Sequence, residues 1–392
     1  MLQHNIEADK TLLAPEVQGN QASKLAEEAR NTLAAGSASR IDKGTNPSEG
    51  SATIPKDKSG LPVFDTVSDK NTEKLHKIIE DAPSNKDHGS NQKIGDLSVS
   101  GTNEAKMEAI QHQSADINGI KLHYASEGSG EPVLFLHGFP EFWYEWKDQL
   151  HEFGQDHMAV AMDMRGYNLS DKPSAVTDYA LEKLVSDTKA MFDRLFAETG
   201  RSKGILVAHD WGGVVAWNFA AAYPEYLEKL VIINSPHPTL FARELKNNPA
   251  QQKASSYINF FRTSGAESKL LDNDCAYLRN AVFDKSSKPE AFTPEDRKAY
   301  QRAWTEPGAL TASLNYYRAA NPTEAPVLPV KVPTLVIWGE QDQAILPGNL
   351  VGLDQLVPDL RIKRIANGTH WVVHEEPELV SKYIREFLGN KD

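Results

Sequence analysis

Ile205-Leu-Val-Ala-His-Asp-Trp-Gly-Gly213 is the stretch on which the reading of this sequence turns. It opens with an unbroken apolar run of strand length. Beyond it, Val214, Ala216, Trp217, Ala220 and Ala221 make the apolar stripe of a helix. A strand, a tight turn and a helix thus follow one another, with Asp210 in the turn. Ala208 and Gly212 flank Asp210 at two-residue spacing. Small residues there let strand and helix approach closely and hold a reactive side chain above the sheet edge. Ala208 stands where Gly is commonest in this pattern, but a methyl group still permits the approach. An isolated Asp-x-Gly would read as a helix cap. The strand before it and the stripe after it favour a nucleophile.

Working outward, similar apolar runs occur at 133–136, 158–162, 230–233 and 335–338, separated by helical stretches. Continuous rather than alternating apolar character marks strands covered on both faces. The sequence therefore predicts an α/β fold with a mostly parallel, doubly wound sheet. Between 233 and 335 the strand-like spacing breaks down into a segment rich in Phe, Tyr, Trp, Lys and Glu. We expect a helical cap over 239–322, inserted between core segments 114–238 and 323–392, with Pro326, Pro329 and Pro333 marking the return.

Composition sets residues 1–113 apart. All seven Trp and all twelve Tyr lie after residue 113, and Phe64 is the one aromatic before it. A segment this poor in apolar surface is expected to be a disordered leader. Leu25, Ala29 and Leu33, and then Leu75, Ile78 and Ile79, sit at helical spacing, so two short helices would form there only if a partner covered them. Met107 stands as a candidate second start.

The net charge of −12 argues against a nucleic-acid partner, which needs a basic face. The single Cys275 excludes an internal disulfide and has no neighbours at metal-ligand spacing, so it reads as a buried thiol. No metal and no cofactor are expected. No apolar run reaches membrane-spanning length, and the first residues lack the pattern of a signal peptide, which together suggest a cytoplasmic protein.

A carboxylate at the turn decides the chemistry. A hydroxyl there would need a base to remove its proton, whereas an Asp with a pKa near ~4 is already anionic at neutral pH. Such a nucleophile suits displacement at an sp3 carbon bearing a leaving group, as in an epoxide or alkyl halide, and leaves an ester on the enzyme. Releasing that ester needs a base for water and donors for the oxyanion. The Trp338-Gly-Glu-Gln-Asp342 segment puts Asp342 just past a strand's carboxyl end, and His370 follows in Asn367-Gly-Thr-His-Trp371. We assign His370 as base and Asp342 as the acid that orients it, with Glu340 as the alternative orienting acid. His137-Gly-Phe-Pro140 follows the 133–136 strand, so the Phe139 amide, with that of Trp211, is the expected oxyanion pair. His137, His209, His237 and His374 are given no direct chemical step.

Taken together, His137-Gly-Phe-Pro140, Arg165-Gly-Tyr167 before Ser170-Asp171, His209-Asp-Trp-Gly-Gly213, Trp338-Gly-Glu-Gln-Asp342 and His370-Trp371 resemble the soluble epoxide hydrolases of the α/β-hydrolase family, over residues 115–390. The nucleophile, acid, histidine order is also that family's. The resemblance implies the α/β-hydrolase fold and two cap tyrosines that bind and protonate the epoxide oxygen. Tyr317 matches the second of these in Leu314-Asn-Tyr-Tyr-Arg318, and it shares a helical face with Leu310 and Leu314, whereas Tyr316 lies about 100° away. Tyr257 in Ser256-Tyr-Ile-Asn-Phe-Phe261 fits the first. The expected reaction is addition of water to a small apolar epoxide, giving a vicinal diol.

Two other readings remain open on the sequence. A haloalkane-type dehalogenase would keep the nucleophile and base and release halide without an acid. Such enzymes resemble one another in an Asn or Trp near the first loop, where this chain has Phe139. Fluoroacetate dehalogenases carry arginines after the nucleophile, where this chain has Trp211 and Val214. The other reading, a non-catalytic ligand-binding protein, would leave every catalytic part without a use.

Overall fold

A computed structural model describes residues 109–389. The expected leader therefore lies almost wholly outside the described residues. Eight strands form one sheet in the order β1-β2-β4-β3-β5-β6-β7-β8. They are β1 (Gln111–Ile117), β2 (Ile120–Glu127), β3 (Glu131–Leu136), β4 (His157–Met162), β5 (Gly204–His209), β6 (Leu227–Ile233), β7 (Thr334–Gly339) and β8 (Leu360–Ile365). β2 runs antiparallel to both β1 and β4, and all other neighbours are parallel.

Every residue of β4, β5 and β7 is buried, so both faces of the sheet centre are covered. The covering helices are α1 (Lys147–Phe153), α2 (Leu181–Thr199), α3 (Asp210–Ala222) and α11 (Pro377–Leu388), the last preceded by the short α10 (Val372–Glu375). α2 packs with α3, and α11 with α1. The strands missed in the sequence are β1, β2 and β8. β1 begins at Gln111, inside the segment expected to be leader, because it is a polar edge strand with only Ala115 and Ile117 buried.

Between β6 and β7 stand α4 (Pro238–Asn247), α5 (Pro249–Ala254), α6 (Tyr257–Arg262), α7 (Ala266–Arg279), α8 (Pro294–Thr305) and α9 (Ala309–Ala319). α7 is broken where Asn273, Asp274 and Cys275 take left-handed backbone angles, and Cys275 is buried there. α8 starts with a capping box, Thr293 and Asp296 bonding reciprocally. Asp296 also binds Tyr144 and Lys147, which ties this helical layer to the core. Among the described residues, no helix is long and apolar enough to cross a membrane.

Register brings the parallel strands to a common level. Leu136 pairs with Ala208 and Met162, His209 with Ile233, and Ile233 with Ile337. The loops leaving β3, β5, β6 and β7 therefore open together at the carboxyl edge, where sites on such sheets form.

Candidate active site

β5 passes into α3 without an intervening loop, and Asp210 sits at the junction with φ of 46°. A positive φ strains any residue with a Cβ, and such strain gathers at functional sites. The packing explains how the turn is held. A Cβ on Gly212 would lie 2.3 Å from the Leu136 carbonyl oxygen, and one on Gly138 would lie 2.4 Å from the Asp210 Cβ. Ser235 Oγ donates to the Asp210 carbonyl at 2.7 Å, closing the turn from the β6 side.

The Asp210 carboxylate has two differently engaged oxygens. Oδ1 accepts the Phe139 N–H at 2.8 Å, and Oδ2 faces His370 Nε2 at 3.6 Å. That second separation is an ion-pair contact, too long for a good hydrogen bond. Burial opposes ionisation of Asp210, but His370, His209 and the Phe139 amide outweigh it and hold the carboxyl below its usual range. The Phe139 N–H, one of the two expected oxyanion donors, thus points at the Asp210 carboxylate. Trp211 lies in the first turn of α3, where amides have no intrahelical acceptor.

His370 Nδ1 contacts Asp342 Oδ2 at 2.7 Å, which puts the ring hydrogen on Nδ1 and turns Nε2 toward Asp210. Asp342 is fully engaged, since its Oδ1 accepts the Ala344 and Ile345 amides and its Oδ2 also accepts Asn234 Nδ2 at 2.9 Å. Burial works against a charged His370, but the Asp342 and Asp210 carboxylates prevail and raise its pKa well above the ordinary value. The alternative orienting acid, Glu340, is taken up instead by Arg364 at 2.6 Å.

Tyr257 opens α6 and Tyr317 lies in the third turn of α9. Their rings stand 6.2 Å apart, nearly perpendicular. Burial and then the Asp210 charge push both phenols well above the usual tyrosine range, which keeps them protonated. Phe139, Trp211 and Phe261 pack around Tyr317 at ring separations of 5.0–5.3 Å, giving the space an aromatic wall. Tyr316, expected to turn away from this face, is buried as well. Its hydroxyl donates to the Arg165 carbonyl at 2.8 Å, because α9 is packed on nearly all sides and offers no solvent face there.

The α/β hydrolase fold family's sequence profile matches residues 131–377. Epoxide hydrolase 4 of Mus musculus is 36% identical over 285 residues, spanning 69% of this chain and 77% of that protein. The AB hydrolase superfamily protein YfhM of Bacillus subtilis is 38% identical, over 73% of this chain and all of its own length. A crystal structure of Bacillus megaterium epoxide hydrolase with an inhibitor superposes with a TM-score of 0.67 at 38% identity, covering 71% of this chain and 100% of that one. This chain belongs to the epoxide hydrolases of the α/β hydrolase family. The plant epoxide hydrolase VrEH1 of Vigna radiata, at 29% identity and a TM-score of 0.62, shares the same fold over 72% of the chain.

Two features of this epoxide hydrolase site escape a reading of the sequence. Asn234, at the end of β6 with φ of 37°, bonds Asp342 and also pairs with Gly339 through both its amide atoms. Beneath His370 lies a polar group made of the buried Glu141, Glu145 and His209 and the partly buried His374. Both depend on strands far apart in sequence, and the one available signal was the repeated placement of polar residues just past strand ends.

Proposed function

We propose that this chain adds water to small apolar epoxides, giving vicinal diols, through an ester on Asp210. Asp210 Oδ2 attacks a ring carbon, the C–O bond breaks, and the oxygen takes a proton from Tyr257 or Tyr317 while the other phenol donates a hydrogen bond to it. His370 Nε2 then takes a proton from water, and the hydroxide adds to Cγ of the ester. The Phe139 and Trp211 amides receive the negative charge that develops on Oδ1. Collapse expels the diol, which regains a proton from His370, and the proton liberated with the carboxylate restores the phenol. No metal and no cofactor enter these steps.

The observation that carries this reading is the pair of phenols, with rings 6.2 Å apart and Tyr317 packed on Phe139 and Trp211, the first of which bonds the Asp210 carboxylate and the second of which follows it in the chain. Burial keeps both phenols protonated. An alkoxide is a poor leaving group and needs an acid, whereas a halide does not. The state of His370 supports the timing of the two halves. While Asp210 is a free anion it helps hold the imidazole cationic. Once Asp210 is esterified that charge is gone, so His370 loses part of what keeps it protonated, releases that proton to solvent and becomes a base when a base is needed, taking a proton back from solvent after the carboxylate is regenerated.

A single turnover in oxygen-18 water tests the route. The first diol should carry unlabelled oxygen from Asp210, and label should enter only after the carboxylate has exchanged. Labelled diol in the first turnover would mean direct attack by water. Halide release from bromoalkanes, with no diol from a panel of epoxides, would make the substrate reading wrong while leaving the nucleophile in place.

A further inference from the structure

Beneath the His370 loop, Glu145 occupies a position that ordinary ion pairing does not explain. Glu145 and His209 are both almost fully buried. His209 Nε2 lies 2.9 Å from the carbonyl oxygen of His370. A carbonyl only accepts, so Nε2 carries the ring hydrogen and Nδ1 of the neutral ring is a bare lone pair. Yet Glu145 Oε1 lies 2.7 Å from that Nδ1, and as carboxylate and lone pair neither atom has a hydrogen-bond partner. Two acceptors do not approach so closely without a proton between them.

The surroundings locate that proton on Glu145. Glu141 is the neighbouring acid, and it holds the negative charge of the group, with His374 Nε2 at 2.8 Å and the Tyr300 hydroxyl donating at 3.0 Å. Two buried carboxyls side by side do not both ionise. Burial, then Glu141, push Glu145 well above the carboxylate range, and burial lowers His209 to about 4. A metal ion does not fit the same three residues. Donors around a tetrahedral ion with bonds of about 2.1 Å stand roughly 3.4 Å apart, well beyond the observed contact.

We propose that Glu145 is a positioning residue: as a neutral carboxylic acid it donates to His209 Nδ1, fixing the tautomer whose Nε2–H holds the His370 carbonyl, while its other oxygen accepts the Gly138 amide. That last contact is 3.2 Å, and Gly138 precedes the Phe139 peptide that binds Asp210 Oδ1. One side chain therefore steadies the backbone of both the base and the oxyanion donor. The consequence for rate rests on the epoxide reading given above, whereas the tautomer does not. Both the base and the oxyanion donor act when the ester is hydrolysed, and the base has no part in its formation. Loss of Glu145 should accordingly slow ester hydrolysis more than ester formation.

Nitrogen-15 NMR of the His209 ring in the unmodified protein is the first experiment, with rapid-quench measurement of ester formation and hydrolysis in Glu145→Gln and Glu145→Ala as the second. The expected spectrum shows a neutral ring protonated at Nε2 with Nδ1 accepting a hydrogen bond. A ring protonated at Nδ1, or a cationic ring near neutral pH, would overturn the proposal whether or not any epoxide is turned over. Glu145→Gln keeps a donor for Nδ1 and an acceptor for Gly138, so it should retain most of the hydrolysis rate. Glu145→Ala should slow hydrolysis roughly ten- to a hundredfold, so that ester accumulates in the steady state. Equal slowing of both half-reactions, or a loss of thermal stability with the hydrolysis rate intact, would reduce Glu145 to packing. If the unmodified protein formed no ester with any epoxide, the epoxide reading would fail and the tautomer would still decide the positioning role.

Discussion

At the scale of single residues, the two oxygens of Asp210 and the two nitrogens of His370 each make a separate contact, and the proposed roles predict that substitutions separate them. Asp210→Asn removes the nucleophile and should lower turnover at least ~10⁴-fold, measured as diol formation. His370→Gln leaves attack intact and removes the base, so mass spectrometry should find the protein heavier by the mass of the epoxide. Tyr317→Phe should slow ester formation by roughly 10²-fold, the usual worth of a positioned acid. The titration of His370 has a sign that can be checked. Asp210 stabilises the imidazolium, so in Asp210→Asn the His370 pKa, followed by NMR, should fall. An unchanged value would mean that Asp342 alone sets it. The linked stability follows the same sign. A folded pKa raised above the unfolded one contributes stability that is complete below the unfolded value and is lost as pH rises through the folded value. The alkaline decline in the melting temperature should therefore shift to lower pH in Asp210→Asn.

At the scale of elements, the turn between β5 and α3 is legible in sequence because small residues and an apolar strand leave few alternatives at Asp210. The five central strands are legible for a related reason. They are buried on both faces, so their apolar runs are continuous. β1 and β8 are not, because each mixes charged and polar residues with partial burial, as in Leu360-Arg-Ile-Lys-Arg-Ile365, and only pairing with a neighbour makes them strands. The Asp342–His370 pair was legible from its order in the chain, but the partners of Asn234 and Glu145 were not, since each lies across more than sixty residues of intervening chain. α9 shows the limit of helical periodicity, which separates faces only when one of them meets solvent. Tyr316 and Tyr317 are both buried, yet they face different partners. Tyr316→Phe should consequently lower stability by about 1 kcal/mol, the worth of a lost hydrogen bond, with a far smaller effect on ester formation than Tyr317→Phe. Gly212→Ala tests the turn itself. Its new methyl would press on the backbone carbonyls of Leu136 and His137, so a destabilisation of ~1–3 kcal/mol by urea unfolding is expected, along with lost turnover.

At the scale of the whole molecule, the sheet and all the proposed site residues fall within the described residues 109–389. The sheet begins at Gln111, Asp210, Asp342 and His370 come from three separate strand ends, and the two phenols come from helices between β6 and β7. The Bacillus subtilis relative is matched along its entire length by 73% of this chain, so a protein of that extent is sufficient for the family's fold. A chain beginning at Met107 should for this reason keep the turnover and the unfolding midpoint of the full sequence. The measurement is diol formation and thermal unfolding of the two proteins side by side. Equal values would assign the first 106 residues to something other than catalysis or folding of the hydrolase. A loss of turnover with the midpoint unchanged would instead bring a residue from that segment into the chemistry.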